Sequence, residues 1–176
     1  MTSIPDEIRT SRLVLRRVGP GDLEAAIAIM GDPETNLHNP AGPASPEQVA
    51  AQLGEWQEHW ARDGIGYWAV VLPEVEEVIG FGGLRTHELD GEATLNLFYR
   101  FRPRHWGRGY APEMARAAIE LADRARPDRP VVIVTDLANK PSQRVAEKLG
   151  FVYEGESHIG EDPVLVYRRQ ESTMVT

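Results

Sequence analysis

Apolar residues recur with helical spacing in two segments of the first third of the chain. Leu23, Ile27 and Met30 lie four and three positions apart, which predicts a short helix. After a Pro-rich loop over residues 36–46, a longer stripe has the same spacing. The members of this second stripe are Val49, Leu53, Trp56 and Trp60. Two amphipathic helices are therefore expected in this part of the chain.

Short runs rich in β-branched and aromatic residues indicate strands elsewhere. These runs span residues 12–16, 67–72, 78–84, 93–101, 131–134, 151–154 and 163–168. Helical patterns over 110–125 and 141–149 separate the later ones. The strand–helix–strand unit from 93 to 134 needs parallel strands, whereas tight turns favour antiparallel pairing. The pattern predicts one α/β (mixed α+β) domain over residues 1–176, with a central, mostly antiparallel sheet of about 6–7 strands and helices on both faces.

Composition and charge narrow the classes of function. The 176 residues carry 19 basic and 27 acidic side chains, a net charge of −8, which argues against nucleic acid or an anionic membrane as a partner. The absence of Cys excludes disulfides and thiolate metal sites, and the His residues show no metal-binding spacing. No signal-peptide pattern is visible, and the longest uncharged apolar stretch is too short for a bilayer. We therefore expect a cytoplasmic protein without a metal.

The segment from Arg100 to Ala111 joins a strand to a helix and carries the clearest chemical signal. It contains four Arg and no acidic residue in an otherwise acidic chain. Gly107 and Gly109 remove Cβ atoms at alternate positions, so that backbone N–H groups can approach a ligand closely. The following helix adds free N–H groups and the positive end of its dipole. These features favour a pyrophosphate site over a glycine-rich turn with solvated arginines.

Two other phosphate-binding motifs do not fit this chain. No Gly-x-x-x-x-Gly-Lys-Ser/Thr sequence occurs, so a P-loop is excluded. In Gly107-x-Gly109-x-x-Pro112, Pro stands where the dinucleotide fingerprint requires Gly or Ala. A different class of pyrophosphate site is therefore expected.

A second stretch, from Asn139 to Phe151, contains a short capped helix that ends at a glycine. Together with the loop over Trp106–Ala111, it resembles the GNAT superfamily of N-acetyltransferases, whose pyrophosphate loop is Gln/Arg-x-x-Gly-x-Gly/Ala. Trp at the first loop position, the opening Arg9–Arg16 segment and Asn139-x-x-Ser142 resemble the branch that acetylates N-terminal Ala or Ser of ribosomal proteins. The resemblance covers residues 9–169 and implies a sheet that splays at the cofactor site.

The resemblance implies where acetyl-CoA binds. In such enzymes the amides of the glycine loop hold the pyrophosphate, and the strand that ends at Phe101 pairs with the pantetheine. Asn139 would bond the pantetheine arm, Ser142 would lie near the thioester sulfur, and Arg104 and Arg108 would contact phosphates. The expected cofactor-binding residues are Phe101, Arg104, Trp106, Gly107, Arg108, Gly109, Tyr110, Ala111, Asn139 and Ser142.

The resemblance also implies direct attack of a neutral amine on the acetyl thioester in a ternary complex. The Tyr that is the general acid in many relatives is replaced by Ala146, so Ser142 is the candidate hydrogen-bond donor to the sulfur. A Glu that often acts as the base is replaced by Asn96, and Glu92 is the expected substitute. Ordered water is the alternative base, because an α-amine has a pKa of only about 8.

The expected function is transfer of an acetyl group from acetyl-CoA to a primary amine, in a protein N-terminus or a small molecule. Two alternatives stay open: a larger acyl-CoA as donor, and an acyl-CoA-binding domain without catalysis. The second alternative follows from Ala146 and Asn96 at positions that usually carry the acid and the base. No motif identifies the acceptor, and a homodimer is suggested only by family analogy.

Overall fold

The computed structural model describes residues 3–170, which form helices and strands in the predicted alternation. The strands are β1 (Glu7–Arg9), β2 (Val14–Arg17), β3 (Tyr67–Leu72), β4 (Glu77–Leu89), β5 (Glu92–Phe101), β6 (Val131–Asp136), β7 (Phe151–Ile159) and β8 (Asp162–Arg169). The helices are α1 (Leu23–Met30), α2 (Pro46–Asp63), α3 (Tyr110–Ala125) and α4 (Lys140–Lys148). Single 3-10 turns precede α1 and follow β5. No helix within this range is long and apolar enough to span a membrane.

The strands form one mixed sheet in the order β1-β2-β3-β4-β5-β6-β8-β7. Strands β5 and β6 pair in parallel, and the other neighbouring strands within residues 3–170 pair antiparallel. This confirms the mixed, mostly antiparallel sheet. The expected strand number of 6–7 was too low, because β1 adds an eighth. Strand β1 has only three residues, too few for its alternation to be recognised in the sequence.

The parallel pair is the place where the sheet opens. Strands β5 and β6 are in register only at Leu95 with Val131 and Asn96 with Val132. Beyond Asn96, β5 continues for five residues to Phe101 without a registered partner on that side. The two strands therefore diverge toward the end of β5 and leave a cleft in the sheet, as the family resemblance implied.

Helices cover both faces of the sheet. Trp56 of α2 lies 5.5 Å from the Phe81 ring and 6.1 Å from the Phe98 ring, between ring centroids. On the next residue of β4, a Cβ at Gly82 would come within 2.7 Å of the Met114 side chain of α3. Because successive strand residues point to opposite faces, α2 and α3 lie on opposite sides of the sheet. The glycine at position 82 lets α3 approach the sheet closely.

Candidate active site

The loop between β5 and α3 has the backbone that its glycines predict. Gly107 has φ = 74° and Gly109 has φ = 81°, both in the left-handed region that other residues rarely occupy. Both glycines are exposed, and Gly109 is the residue that directly precedes α3. The loop therefore presents main chain, not side chain, at the helix start.

The first turn of α3 supplies free donors beside this loop. Its first intrahelical hydrogen bond runs from the N–H of Glu113 to the carbonyl of Gly109, at 3.1 Å. The N–H groups of Tyr110 and Ala111 precede that bond and have no partner within the helix, and Pro112 has no N–H. Together with the helix dipole, these donors favour an anion at this point.

Arg12, a residue outside the loop, holds the loop in place. Its Nη1 donates to the carbonyl of Arg108 at 2.8 Å, and its Nε donates to Glu113 at 2.7 Å. Its guanidinium also lies over the Tyr110 ring, 4.5 Å from the centroid. Sequence reasoning did not assign this role to Arg12, and nothing local to its position signals a contact that spans about a hundred residues.

Glu113 anchors the same contacts from the first turn of α3. Burial by itself raises the pKa of the Glu113 carboxyl, but hydrogen bonds from Thr10 and Arg12 outweigh burial and hold the pKa below its ordinary value. The carboxylate is therefore ionised at neutral pH, and Arg12 compensates its charge near the predicted anion site.

The four arginines of the segment do not converge on one ligand. Arg102 and Arg104 both form ion pairs with Glu77 at the start of β4. Arg100 points to the other side of the sheet, where it bonds Asn36. Strand alternation turns Arg100 away, and β4 brings a carboxylate beside the end of β5, so the four arginines do not form one cationic cluster.

Arg108 differs from its neighbours in this segment. Its side chain is exposed, and it has no acidic partner within residues 3–170. Of the two predicted phosphate-binding arginines, Arg108 is free to meet an anion, whereas Arg104 is partly neutralised.

Trp106 and Phe101 are brought together. The indole Nε1 of Trp106 donates to the carbonyl of Phe101 at 2.9 Å, which ties the loop to the strand end. The Trp106 side chain is otherwise largely exposed. The loop thus runs from the end of β5, at the cleft, directly to the first turn of α3.

Main-chain groups at the end of β5 face the cleft. The N–H of Arg102 bonds Ile79 on one side, and the N–H of Leu95 bonds Pro130 on the other, each at 2.8 Å. Because main-chain groups of successive residues alternate between the two neighbours of a strand, Tyr99 and Phe101 direct theirs toward β6. The register with β6 has ended there and the Phe101 carbonyl already accepts from Trp106, so the Phe101 N–H and the Tyr99 main-chain groups are available to an extended ligand.

Helix α4 follows β6 and borders the cleft on the side opposite to β5. Asn139 caps this helix, since its side-chain oxygen accepts from the N–H of Ser142 at 3.2 Å, and its amide nitrogen stays available. Ala146, one turn further on, is fully buried, so no proton donor occupies that position.

The hydroxyl of Tyr99 on β5 takes up a position beside Ser142. Burial raises the pKa of Tyr99 above its ordinary value, and the nearby Ser142 hydroxyl offsets only part of the rise. A phenol is thus held in its protonated form next to the predicted sulfur contact. Sequence reasoning missed Tyr99, because the two residues come from separate elements.

Glu92 does not reach the cleft, and its assignment as the base is corrected. It forms an ion pair with Arg168 at 2.8 Å, at the beginning of β5. Four residues of extended strand, about 13 Å, separate it from Asn96, where the cleft begins. The error came from treating proximity in sequence as proximity along a strand.

Asn96 lies at the head of the cleft, on the face that α2 covers. Its Oδ1 is buried and accepts no hydrogen bond in the described part of the chain, although the buried Tyr67 phenol lies beside the same amide group. An unpartnered buried oxygen costs free energy, so a donor from a ligand would be favoured there. No cluster of residues suited to a metal occurs among residues 3–170.

Comparison with known proteins agrees with this geometry. The GNAT acetyltransferase domain matches residues 12–152. The chain is 32% identical over 123 residues to the uncharacterized protein YkkB of Bacillus subtilis, covering 68% of this chain and 72% of that protein. It is 28% identical to an acetyltransferase structure from Agrobacterium tumefaciens, with a TM-score of 0.82 and 97% of each chain covered.

A ribosomal-protein-S5-alanine acetyltransferase structure from Vibrio fischeri has a TM-score of 0.72 over 95% of this chain and 97% of that one. At 16% identity, that likeness concerns the fold alone. The chain belongs to the GNAT acetyltransferase family. It is an acyl-CoA-dependent acetyltransferase, for which acetyl-CoA is the family's co-substrate.

Proposed function

We propose that this enzyme transfers the acetyl group of acetyl-CoA to a primary amine within a ternary complex. The observation that carries the proposal is the cleft between β5 and β6, which has free main-chain groups on one side and an unpartnered amide oxygen at its head. A thioester and an amine can therefore meet between a cofactor side and an acceptor side.

The cofactor side is the glycine loop with the exposed edge of β5. The amides of Gly107–Ala111 and the side chain of Arg108 bind the pyrophosphate. The main-chain groups of Tyr99 and the N–H of Phe101 pair with the pantetheine. The free amide nitrogen of Asn139 bonds the same arm. Trp106 supports the site by holding the Phe101 carbonyl.

The thioester supplies an acyl group with a thiolate leaving group. The Tyr99 phenol and the Ser142 hydroxyl donate hydrogen bonds to the sulfur as the bond to it breaks, and Tyr99 supplies the proton. An N–H at the cleft edge of β5 binds the thioester oxygen. The Tyr99 hydroxyl thereby replaces the donor that Ala146 lacks.

The acceptor side begins at Asn96. Its Oδ1 accepts a hydrogen bond from the amine N–H and orients the nitrogen toward the cleft. The Asn96 amide cannot take up a proton at neutral pH, so water accepts the proton that the amine loses. An amine of low pKa suits such a site, and an α-amino group has a pKa of about 8.

Release of free CoA in the presence of a panel of primary amines tests the proposal. We expect saturable turnover with at least one amine and formation of its N-acetyl product, seen by mass spectrometry. CoA binding without turnover on any amine would instead favour the acyl-CoA-binding alternative. Higher kcat/KM with propionyl-CoA or a longer donor would favour a larger acyl group. A homodimer and a cytoplasmic location stay predictions.

A further inference from the structure

Arg100 is a charged side chain that the acyl-transfer chemistry does not use. It lies one residue before the end of β5, on the face that carries Asn96 and Phe98. Its Nη1 donates to Oδ1 of Asn36 at 3.1 Å, and its guanidinium lies 5.7 Å from the centre of the Phe98 ring. Arg100 therefore projects away from α3, toward α1 and the loop that follows it.

The guanidinium of Arg100 is partly buried and has few hydrogen-bond partners in the described part of the chain. Burial lowers its pKa below the ordinary value for Arg, and no charged group in the described part of the chain offsets this. A guanidinium has five N–H donors. Only Nη1 of Arg100 has partners within residues 3–170, the Asn36 amide oxygen at 3.1 Å and the Met30 sulfur at 4.0 Å, and both are neutral. A buried cation without an anionic partner is unfavourable unless something else supplies the anion.

Other partly buried arginines of the chain have the partner that Arg100 lacks. Arg16 forms a two-pronged pair with the buried carboxylate of Asp22, at 2.8 and 3.0 Å. Arg102, the residue after the end of β5, pairs with Glu77 at 3.1 Å. Arg100 thus differs from Arg16 and Arg102, because no carboxylate within residues 3–170 pairs with its guanidinium.

The position of Arg100 connects it to the acceptor. Side chains of alternate residues on a strand share a face, so Arg100 and Asn96 look to the same side of β5. In the proposed function, the cofactor lies along the cleft edge of β5, between the glycine loop and α4. An amine that bonds Asn96 therefore has the Arg100 guanidinium on the same face of β5, beside the Phe98 ring that lies between the two residues.

We propose that Arg100 binds an anionic group, a carboxylate or a phosphate, carried by the acceptor amine. The planar fork of Arg suits both anions, because two parallel N–H groups meet two oxygens. This inference rests on the proposed function and narrows its acceptor to amines with a negative charge. Asn36 holds the guanidinium in position and leaves the outer donors free.

The test compares matched neutral and anionic amines. The pairs are β-alaninamide with β-alanine, ethanolamine with phosphoethanolamine, and glucosamine with glucosamine 6-phosphate. We expect at least one anionic member to have a kcat/KM about tenfold or more above that of its neutral partner, the gain typical of a charge-assisted hydrogen bond. The pair that shows the gain distinguishes carboxylate from phosphate.

Variants of Arg100 make the test specific. Arg100→Gln should remove the preference and leave the affinity for CoA unchanged, and Arg100→Lys should retain part of it. Arg124→Gln, at an exposed position in the last turn of α3, removes one positive charge far from the cleft and should preserve the preference. Equal kcat/KM within every pair, or a preference that survives Arg100→Gln, overturns the inference.

Calorimetry separates this inference from the proposed function. The CoA-saturated protein is titrated with each amine, so that binding is read without turnover. Tighter binding of an anionic member that Arg100→Gln abolishes supports the inference even where no amine is acetylated. If no anionic amine binds more tightly than its neutral partner, Arg100 only supports the loop at Asn36, and the inference is wrong.

Discussion

Strand β5 has two sides that recognise their ligands in different ways. The edge at Tyr99 and Phe101, together with the glycine loop, offers main-chain donors whose directions follow from backbone conformation. The face at Asn96 and Arg100 offers single side chains that lack full hydrogen-bond partners. The main-chain edge suits a ligand that all family members share. On the other face, the side chains can differ between proteins without altering the fold.

This difference predicts that the main-chain side tolerates little change in sequence. A main-chain site depends on φ values that few residues adopt, so its sequence is restricted to glycine at set positions. A side-chain site depends on which residue points outward, and any residue that fits a strand is allowed there. The predictions below disturb first one side and then the other.

The largest effect is expected from Gly109→Glu, which damages the main-chain side directly. The substitution forces a side chain into φ = 81° and places a negative charge beside the predicted pyrophosphate. We expect calorimetry to show CoA affinity lowered about a hundredfold or more, since strain and repulsion each cost about 1–3 kcal/mol.

Gly54→Glu is the matched control for this substitution. Gly54 lies within α2, and a Cβ there would meet no atom within 4 Å. The variant should bind CoA as tightly as the unchanged protein. Equal losses in both variants would contradict the assignment of the loop.

A smaller effect on rate alone is expected from Tyr99→Phe. The change removes the phenol hydroxyl and keeps the ring, so the packing of β5 is preserved. We expect kcat to fall about a hundredfold, within the usual range for a lost proton donor, with little change in the Kd of CoA. Because burial raises the pKa of Tyr99, the unchanged enzyme should keep this donor protonated up to pH 10.

Ser142→Ala serves as the comparison for Tyr99→Phe. Removal of the serine hydroxyl leaves the phenol in place, so its rate loss should be the smaller of the two. A Ser142→Ala variant that is slower than Tyr99→Phe would show that serine is the proton donor.

The smallest effect is expected from Glu113→Gln, which loosens the clamp around the loop. The Glu113 carboxylate gains hydrogen bonds on folding and its pKa is lowered, so its contribution is present above the unfolded pKa and is lost as the pH falls through the folded pKa. At pH 7 we expect the variant to be less stable by about 1–2 kcal/mol in urea unfolding. The difference should shrink as the pH is lowered below about 4.

The pH dependence is the decisive part of this measurement. Glu120→Gln changes an exposed carboxylate about two turns further along α3 and should show no such difference. A stability loss in Glu113→Gln that is the same at pH 7 and pH 3 would mean that the charge of Glu113 is not what holds Arg12.

The sequence predicted the main-chain side well because its signals are local. Glycines, a helix start and an Asn cap each act over a few residues, so the local sequence is enough to predict their backbone geometry. The pairing of Glu77 with Arg104 was not predictable, since it depends on the register between β4 and β5. The contact between Tyr99 and Ser142 joins residues of two separate elements, and periodicity gives no information about it.

The assignment of Glu92 as the base failed because of the geometry of a strand. Four residues are a single turn in a helix but about 13 Å along a strand, so closeness in sequence has little meaning within β5. The opposite error concerns Arg100, which was grouped with the arginines of the loop. Strand alternation turns it to the other face, where its nearest polar partner is Asn36.

The opening between β5 and β6 also makes the stability of the enzyme depend on its co-substrate. A ligand that binds the folded chain alone adds RT ln(1 + [L]/Kd) to the unfolding free energy, about 2.7 kcal/mol at a hundredfold excess over Kd. The melting temperature should therefore rise with the logarithm of CoA concentration. In a cell, the lifetime of this protein against unfolding would follow the size of the acyl-CoA pool.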